Sequence, residues 1–137
     1  MAFKLYLDPV IPESPLGLCR CELQTYLGVG RNEVTPIARR FQLEKVRGHY
    51  PDLAIWRQLF GLAPVCAVGT ALLRERLVPI GWVSAITKIP QSTIRSHIHS
   101  GSWEFPAGVQ LGDPGKSAPA RLRRWRPDEI RSGMARQ

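Results

Sequence analysis

Basic residues are concentrated near the end of this 137-residue chain. Between positions 116 and 126, five of eleven residues are Lys or Arg and none is acidic. Cationic side chains at this density bind phosphate groups, and the planar guanidinium of Arg also pairs with the edge of guanine. The run therefore predicts contacts with a nucleic-acid backbone or minor groove. These contacts would come from Lys116, Arg121, Arg123, Arg124 and Arg126.

A second candidate surface lies on the segment 91–100. Ile94 and Ile98 have the spacing of the buried face of a helix, which leaves the polar residues on the opposite face and Thr93 between the two. A polar helix face can enter the major groove, where Gln pairs with adenine and Arg with guanine. The side chains predicted to contact DNA on this helix are Gln91, Ser92, Thr93, Arg95, Ser96 and His99.

The overall charge agrees with such a partner. The formal net charge is +8 and the pI is near 10.1, and 15 of the 19 basic residues are Arg. This balance favours nucleic acid, with an anionic membrane surface or an acidic protein as alternatives.

A small set of elements would have to position these residues. Val109-Gln110-Leu111 and the segment 121–125 alternate like the two strands of a hairpin around a Gly- and Pro-rich loop. Trp125 is expected to anchor the hairpin to the core, and Pro127-Asp128-Glu129 opens a last helix with acidic residues in its first turn.

The pattern of helix, tight turn, helix, hairpin and Pro-Asp helix occurs twice, and the helix pairs are sixty positions apart. We predict an extended arm (1–17), a first copy (18–62), a connecting helix (63–78) and a second copy (79–137). The first copy either binds a second half-site or serves as a dimerisation platform. Its candidate DNA-binding residues are Arg31, Asn32, Thr35, Arg39, Arg40, Lys45 and Arg47.

The second copy resembles the excisionase-like winged helix-turn-helix of the MerR-type superfamily, and the first resembles a degenerate version with a short wing. Two departures are Ile89-Pro90, where the family usually has a small residue and Gly, and a longer wing loop. The motifs that carry the resemblance are Gly81-Trp82-Val83-Ser84-Ala85-Ile86, Ile89-Pro90-Gln91-Ser92-Thr93-Ile94-Arg95, His99-Ser100-Gly101, Phe105-Pro106 and Arg124-Trp125-Arg126-Pro127-Asp128-Glu129-Ile130.

The resemblance implies a mainly α fold with small β-hairpin wings, arranged as a tandem winged helix-turn-helix. It further implies a sequence-specific regulator of a phage or mobile element, either a transcription factor or a recombination directionality factor. The implied partners are double-stranded DNA, further copies of the chain on DNA, and RNA polymerase or a recombinase. A terminase-like DNA-packaging subunit and a protein-binding module for an acidic partner are the alternatives.

Several function classes are not expected. The three cysteines lack His at zinc spacing and are predicted to be buried thiols in a reducing compartment, with no metal and no cofactor. His97 and His99 diverge on a helix, and no phosphate loop or nucleophile motif is present, so an enzyme is not expected. No apolar run suits a signal peptide or a membrane span, which predicts a cytoplasmic, nucleoid-associated protein.

Overall fold

The computed structural model of the chain describes residues 17–112 and 122–135. These residues form seven α-helices and one two-stranded antiparallel sheet, so the mainly helical fold class is confirmed. They divide into two compact units, with the boundary between Glu75 and Arg76. Apart from Gly17, the predicted extended arm lies outside the described residues.

The first unit contains four α-helices. Helix α1 ends at Gly28, which has φ +68° and the left-handed conformation that terminates helices. Pro36 lies in the first turn of the second helix, where its missing N–H is tolerated. The segment just before that helix forms a 3-10 turn, Arg31–Glu33. The four helices are α1 (Arg20–Leu27), α2 (Val34–Arg40), α3 (Asp52–Phe60) and α4 (Ala67–Arg74).

A short hairpin joins α2 to α3, as the sequence predicts. Val46 and His49 pair across a two-residue turn in which Arg47 has φ +55° and Gly48 has φ +81°. Positive φ values at both central positions are typical of a type I′ turn, whose twist matches that of the two strands it joins. Tyr50 then pairs with Leu18, which ties the end of the hairpin to the residues before α1.

Most of the segment predicted to connect the two copies, residues 63–75, lies in the first unit, whereas residues 76–78 lie in the second. Leu73 on α4 is buried, and its carbonyl oxygen accepts a hydrogen bond of 2.7 Å from the hydroxyl of Tyr26. The neighbouring Arg74 forms an ion pair with Asp52 at the start of α3. Helix α4 therefore packs onto α1 and α3 of its own unit.

The second unit contains three α-helices and the sheet. In the sheet, Val109 pairs with Arg124 and Gln110 with Arg123, which confirms the predicted hairpin. Val78 pairs with Trp125, which ties the hairpin to the residues before the first helix of the unit. The elements are α5 (Ile80–Thr87), α6 (Gln91–Ser100), β1 (Val109–Gln110), β2 (Arg123–Arg124) and α7 (Pro127–Ala135).

Trp125 is the largest fully buried side chain of the second unit, as predicted for the anchor of the hairpin. Its indole nitrogen donates a 2.8 Å hydrogen bond to the carbonyl of Pro106, and the indole of Trp103 donates to the same oxygen at 3.1 Å. Burying an indole with its N–H paired avoids the cost of an unsatisfied donor. Trp125 belongs to a core cluster with Ile80, Val83, Ile94, Phe105 and Ile130.

The backbone hydrogen bonds of the two units correspond. Leu18 and Tyr50 exchange two bonds of 2.9 and 2.7 Å, and Val78 and Trp125 exchange two of 2.9 and 3.0 Å. The helix pairs are sixty positions apart, as predicted. The helices that follow the two hairpins, α3 and α7, begin seventy-five positions apart, at Asp52 and Pro127.

The prediction of buried cysteines is also wrong. Cys21 and Cys66 are exposed and Cys19 is half-buried, and all three are free thiols. Cys19 and Cys66 directly precede α1 and α4, and Cys21 lies on the exposed side of α1. None of the helices in the described parts of the chain has the length and apolar character needed to cross a bilayer.

Candidate nucleic-acid interface

Helix α6 presents a polar face above a buried residue. Ile94 is fully buried in the core, whereas Gln91, Ser92, Arg95, Ser96 and His99 are exposed and Thr93 is half-buried. The predicted division of this helix into a core face and an outer face is therefore confirmed.

Gln91 and Arg95 lie one turn apart on the outer face of α6. A guanidinium nitrogen of Arg95 donates to the side-chain oxygen of Gln91 at 3.2 Å. This hydrogen bond orients two side chains whose polar groups match the edges of guanine and adenine. Because both residues are exposed, these groups can exchange their mutual bond for contacts with a ligand.

The turn before α6 is closed by a side-chain hydrogen bond. Lys88 has φ +62° at the end of α5, and the hydroxyl of Ser84 donates a 2.7 Å hydrogen bond to the carbonyl of Ile89. Pro90 precedes the helix, and its carbonyl oxygen accepts the first helical bond from Ile94 at 3.0 Å. Ile89-Pro90 is thus compatible with a tight turn between two helices.

The two histidines of α6 separate, as predicted. His97 is half-buried with its ring centroid 6.4 Å from that of Trp103, whereas His99 is exposed. In the part of the chain that the structure describes, no three His, Cys, Asp or Glu side chains come together as metal ligands would.

The basic run of the second unit is less exposed than its composition suggests. Lys116 and Arg121 lie outside the described residues. Arg123 is half-buried and donates a 2.8 Å hydrogen bond to the carbonyl of Ala107. Burial lowers the pKa of Arg123, because desolvation disfavours its charged form.

Arg124 and Arg126 are held within the second unit. Arg124 is only 8% exposed and donates to the carbonyl of Arg123 at 2.9 Å. The guanidinium of Arg126 forms ion pairs of 3.2 Å with both Asp128 and Glu129. The burial of Arg124 and the ion pairs of Arg126 count against the predicted contacts of these two side chains with nucleic acid. The acids in the first turn of α7, two and three residues after Arg126, were the available signal for the ion pairs.

The residues of the first unit that were predicted to contact DNA are all on its surface. Arg31, Asn32, Thr35, Arg39 and Arg40 are exposed along the 3-10 turn and α2. On the hairpin, Arg47 is exposed at the turn, and the ammonium of Lys45 lies 5.8 Å from the centre of the Tyr50 ring. The carboxylate of Glu33 accepts a 2.7 Å hydrogen bond from the backbone N–H of Gly30, so it is bound at the start of the 3-10 turn.

One exposed base beside α6 was not predicted. Lys88 lies at the end of α5, three residues before α6 begins. Its backbone is in the left-handed region, which is uncommon for a residue other than Gly. A lysine at the break between two helices was the sequence signal for it.

Comparisons with known proteins identify no relative: no family model, no curated protein and no solved structure matches the chain. The function has to be inferred from the surfaces described above.

Proposed function

We propose that this protein is a sequence-specific DNA-binding regulator of a phage or mobile element, built from two winged helix-turn-helix units. The observation that carries the proposal is the polar outer face of α6, whose opposite side is anchored by the fully buried Ile94. A helix held in this way can present its first turns to the major groove. The hairpin of β1 and β2 is the wing, and α5 with α6 forms the helix-turn-helix.

Within this proposal, the residues of α6 divide into two kinds of contact. Gln91 and Arg95 read base edges, adenine and guanine respectively. Ser92, Ser96 and Lys88 contact phosphates and set the position of the helix. All five side chains are exposed, and none of them is required by the core.

The described part of the wing contributes less than its arginine count suggests. Arg123 is the described wing arginine that we retain for backbone or minor-groove contact, because Arg124 is buried and Arg126 is ion-paired. We also retain Lys116 and Arg121 as sequence predictions. The protein acts without catalytic chemistry: by occupying or bending double-stranded DNA, it recruits or excludes a polymerase or a recombinase in the nucleoid.

Binding to duplex DNA at several salt concentrations tests the proposal. We expect the logarithm of affinity for random-sequence DNA to fall steeply and linearly with the logarithm of salt concentration, as released counterions require. On a site selected from a random library, Arg95→Ala should weaken binding by about tenfold or more and relax one base position.

Arg57→Ala is the matched control, since it removes one exposed arginine from α3, outside both proposed interfaces. It should change affinity less than Arg95→Ala and should leave the selected sequence unchanged. Weak binding with no salt dependence, unaffected by Arg95→Ala, would refute the proposal. A protein module that binds an acidic partner would then be the better interpretation.

A further inference from the structure

The outer face of α6 has a counterpart in the first unit. Sixty positions earlier, the 3-10 turn and α2 expose the same positions, and the burial differs only at Ile37 and Ala38, which are buried where His97 and Ile98 are half-buried. Val34 is fully buried where Ile94 is fully buried, and Glu33 is half-buried where Thr93 is half-buried. The six exposed pairs are Arg31 and Gln91, Asn32 and Ser92, Thr35 and Arg95, Pro36 and Ser96, Arg39 and His99, and Arg40 and Ser100.

The backbone that carries the two faces also corresponds. Gly28 and Lys88 are both left-handed, with φ +68° and +62°. Leu23 on α1 and Val83 on α5, which are also sixty positions apart, are both fully buried. In each unit the second helical segment is therefore mounted on an equivalent core, with an equivalent side turned outward.

The chemistry of the two faces differs. The first unit has arginines at both ends of its face, Arg31 and Arg39, which are about 12 Å apart along an ideal helix. Between them, Asn32 and Thr35 supply amide and hydroxyl groups. The face of the second unit has one central arginine, Arg95, close to Gln91. Two such faces would read different base sequences.

The composition of the first face also distinguishes between DNA and a second protein copy. The centres of protein interfaces are depleted in charge and enriched in apolar and aromatic groups. On α2 the large apolar side chains, Val34 and Ile37, are both buried, which leaves polar groups and Pro36 outside. In the part of the chain that the structure describes, neither the Arg31 nor the Arg39 side chain takes part in an ion pair. This surface suits phosphates and base edges rather than dimerisation.

We propose that the first unit is a second DNA-reading head and that one chain recognises a two-part site whose halves differ in sequence. The inference rests on the proposed function and adds to it the kind of target: an asymmetric site bound by a monomer. A palindrome would require two identical heads, as in a symmetric dimer.

The test begins with selection of bound sequences from a random duplex library by the full-length protein. We expect two separate blocks of preferred bases that are neither direct nor inverted copies of each other. Arg31→Ala/Arg39→Ala should lower affinity for the complete site at least tenfold and erase the preference in one block. Arg95→Ala should erase the preference in the other block.

Two controls keep the result interpretable. Arg57→Ala/Arg76→Ala removes the same charge from two exposed arginines outside the proposed faces and should preserve both blocks. In addition, wild-type protein is measured on DNA in which one block is randomised. On DNA that lacks the block read by the first unit, Arg31→Ala/Arg39→Ala and the wild-type protein should bind with similar affinity. Any remaining difference should equal the effect of losing two positive charges, which Arg57→Ala/Arg76→Ala measures.

The outcomes separate the two proposals. A single block, or two inverted copies of one block bound by a dimer, would overturn the second head while leaving DNA binding intact. The first unit would then be the dimerisation platform, and sedimentation of the free and bound protein would show two chains. Failure of the wild-type protein to bind duplex DNA would instead refute the proposed function itself.

Discussion

The two units build equivalent frames but expose their arginines very differently. In the second unit the basic residues are crowded into one short run, yet Arg124 is buried and Arg126 pairs with two carboxylates. In the first unit the basic residues are scattered and interrupted by acids, yet all those predicted to bind DNA are exposed. The density of charge along a sequence is therefore a poor measure of the charge that a ligand can reach.

The reason lies in what each hairpin does. The hairpin of the second unit places Trp125 in the core, and the residues beside Trp125 therefore lie close to the core as well. The hairpin of the first unit is only a two-residue turn between Val46 and His49, and its basic residues remain at the surface. The shorter hairpin thus leaves more of its charge accessible.

The units also differ in how their helices begin. In the first unit the backbone N–H groups of Cys19 and Gly30 donate to the carboxylates of Glu22 and Glu33, at 2.9 and 2.7 Å. The positions sixty residues later are Pro79 and Pro90, which have no N–H to satisfy. The corresponding helices of the second unit, α5 and α6, therefore begin without such a hydrogen bond to a carboxylate.

The largest expected effect comes from removing the anchor of the second hairpin. Trp125→Ala deletes a fully buried indole and should lower the free energy of unfolding by about 3–5 kcal/mol. Tyr50→Ala, at the equivalent position of the first unit, should cost less because the ring is smaller and slightly exposed. Urea titration gives the two losses, and hydrogen exchange shows which unit loses protection. Equal losses would contradict the stronger dependence of the second unit on its anchor.

Glycine substitutions at the two hairpins should differ in the same direction. Gly108 has φ +77°, and a Cβ there would lie 2.6 Å from the carbonyl oxygen of Arg124 and 3.0 Å from the indole of Trp125. Gly108→Ala should therefore cost about 3 kcal/mol from backbone strain and overlap together. Gly48→Ala has a similar φ but open space, and should cost about 1–2 kcal/mol. Thermal melts of both variants test the difference, which a similar loss in each would disprove.

The helix ends offer a smaller, reciprocal test. Lys88 occupies the left-handed position that Gly28 occupies in the first unit. Lys88→Gly should raise the free energy of unfolding by about 1 kcal/mol, and Gly28→Ala should lower it by a similar amount. Chemical denaturation measures both changes. A destabilising Lys88→Gly would mean that the lysine side chain contributes more than its backbone strain costs.

The smallest effect concerns acid stability of the first unit. The hydrogen bond from the N–H of Cys19 lowers the pKa of Glu22 below its ordinary value of 4.5. A lowered pKa gives a stabilising contribution that is complete above the ordinary pKa and disappears as the pH falls through the lowered one. Glu22→Gln should therefore reduce the loss of stability on the acid side. Urea midpoints measured as a function of pH test this, and an unchanged acid limb in the variant would contradict it.

Much of the local structure could be predicted from the sequence. The spacing of Ile94 and Ile98, with Pro90 before and Gly101 after them, defines α6 over the observed range. The outward face of that helix follows from the same spacing, because the period of a helix fixes which side chains share a side. The hairpins and the start of α7 follow from turn residues and alternation.

The exposure of individual side chains was harder to predict, because it depends on residues that are distant in sequence and close in space. The exposure of Cys21, the burial of Arg124 and the ion pairs of Arg126 were all missed or misjudged. Free cysteine is among the residue types most often buried, so its type favoured burial where Cys21 is exposed. The burial of an arginine within a hairpin depends on how the neighbouring residues pack. Here the neighbour of Arg124 is Trp125, which is buried in the core.

The sequence by itself determined where the helices and turns lie, which faces of the helices are apolar, and that a helix pair occurs twice, sixty positions apart. These features depend on local periodicity and on Gly and Pro, so they can be recognised along the chain. Only the tertiary structure decided which arginines reach the surface, that α4 belongs to the first unit, and that Tyr50 corresponds to Trp125. Those features depend on contacts between distant segments, which packing and hydrogen bonding select and local sequence does not encode.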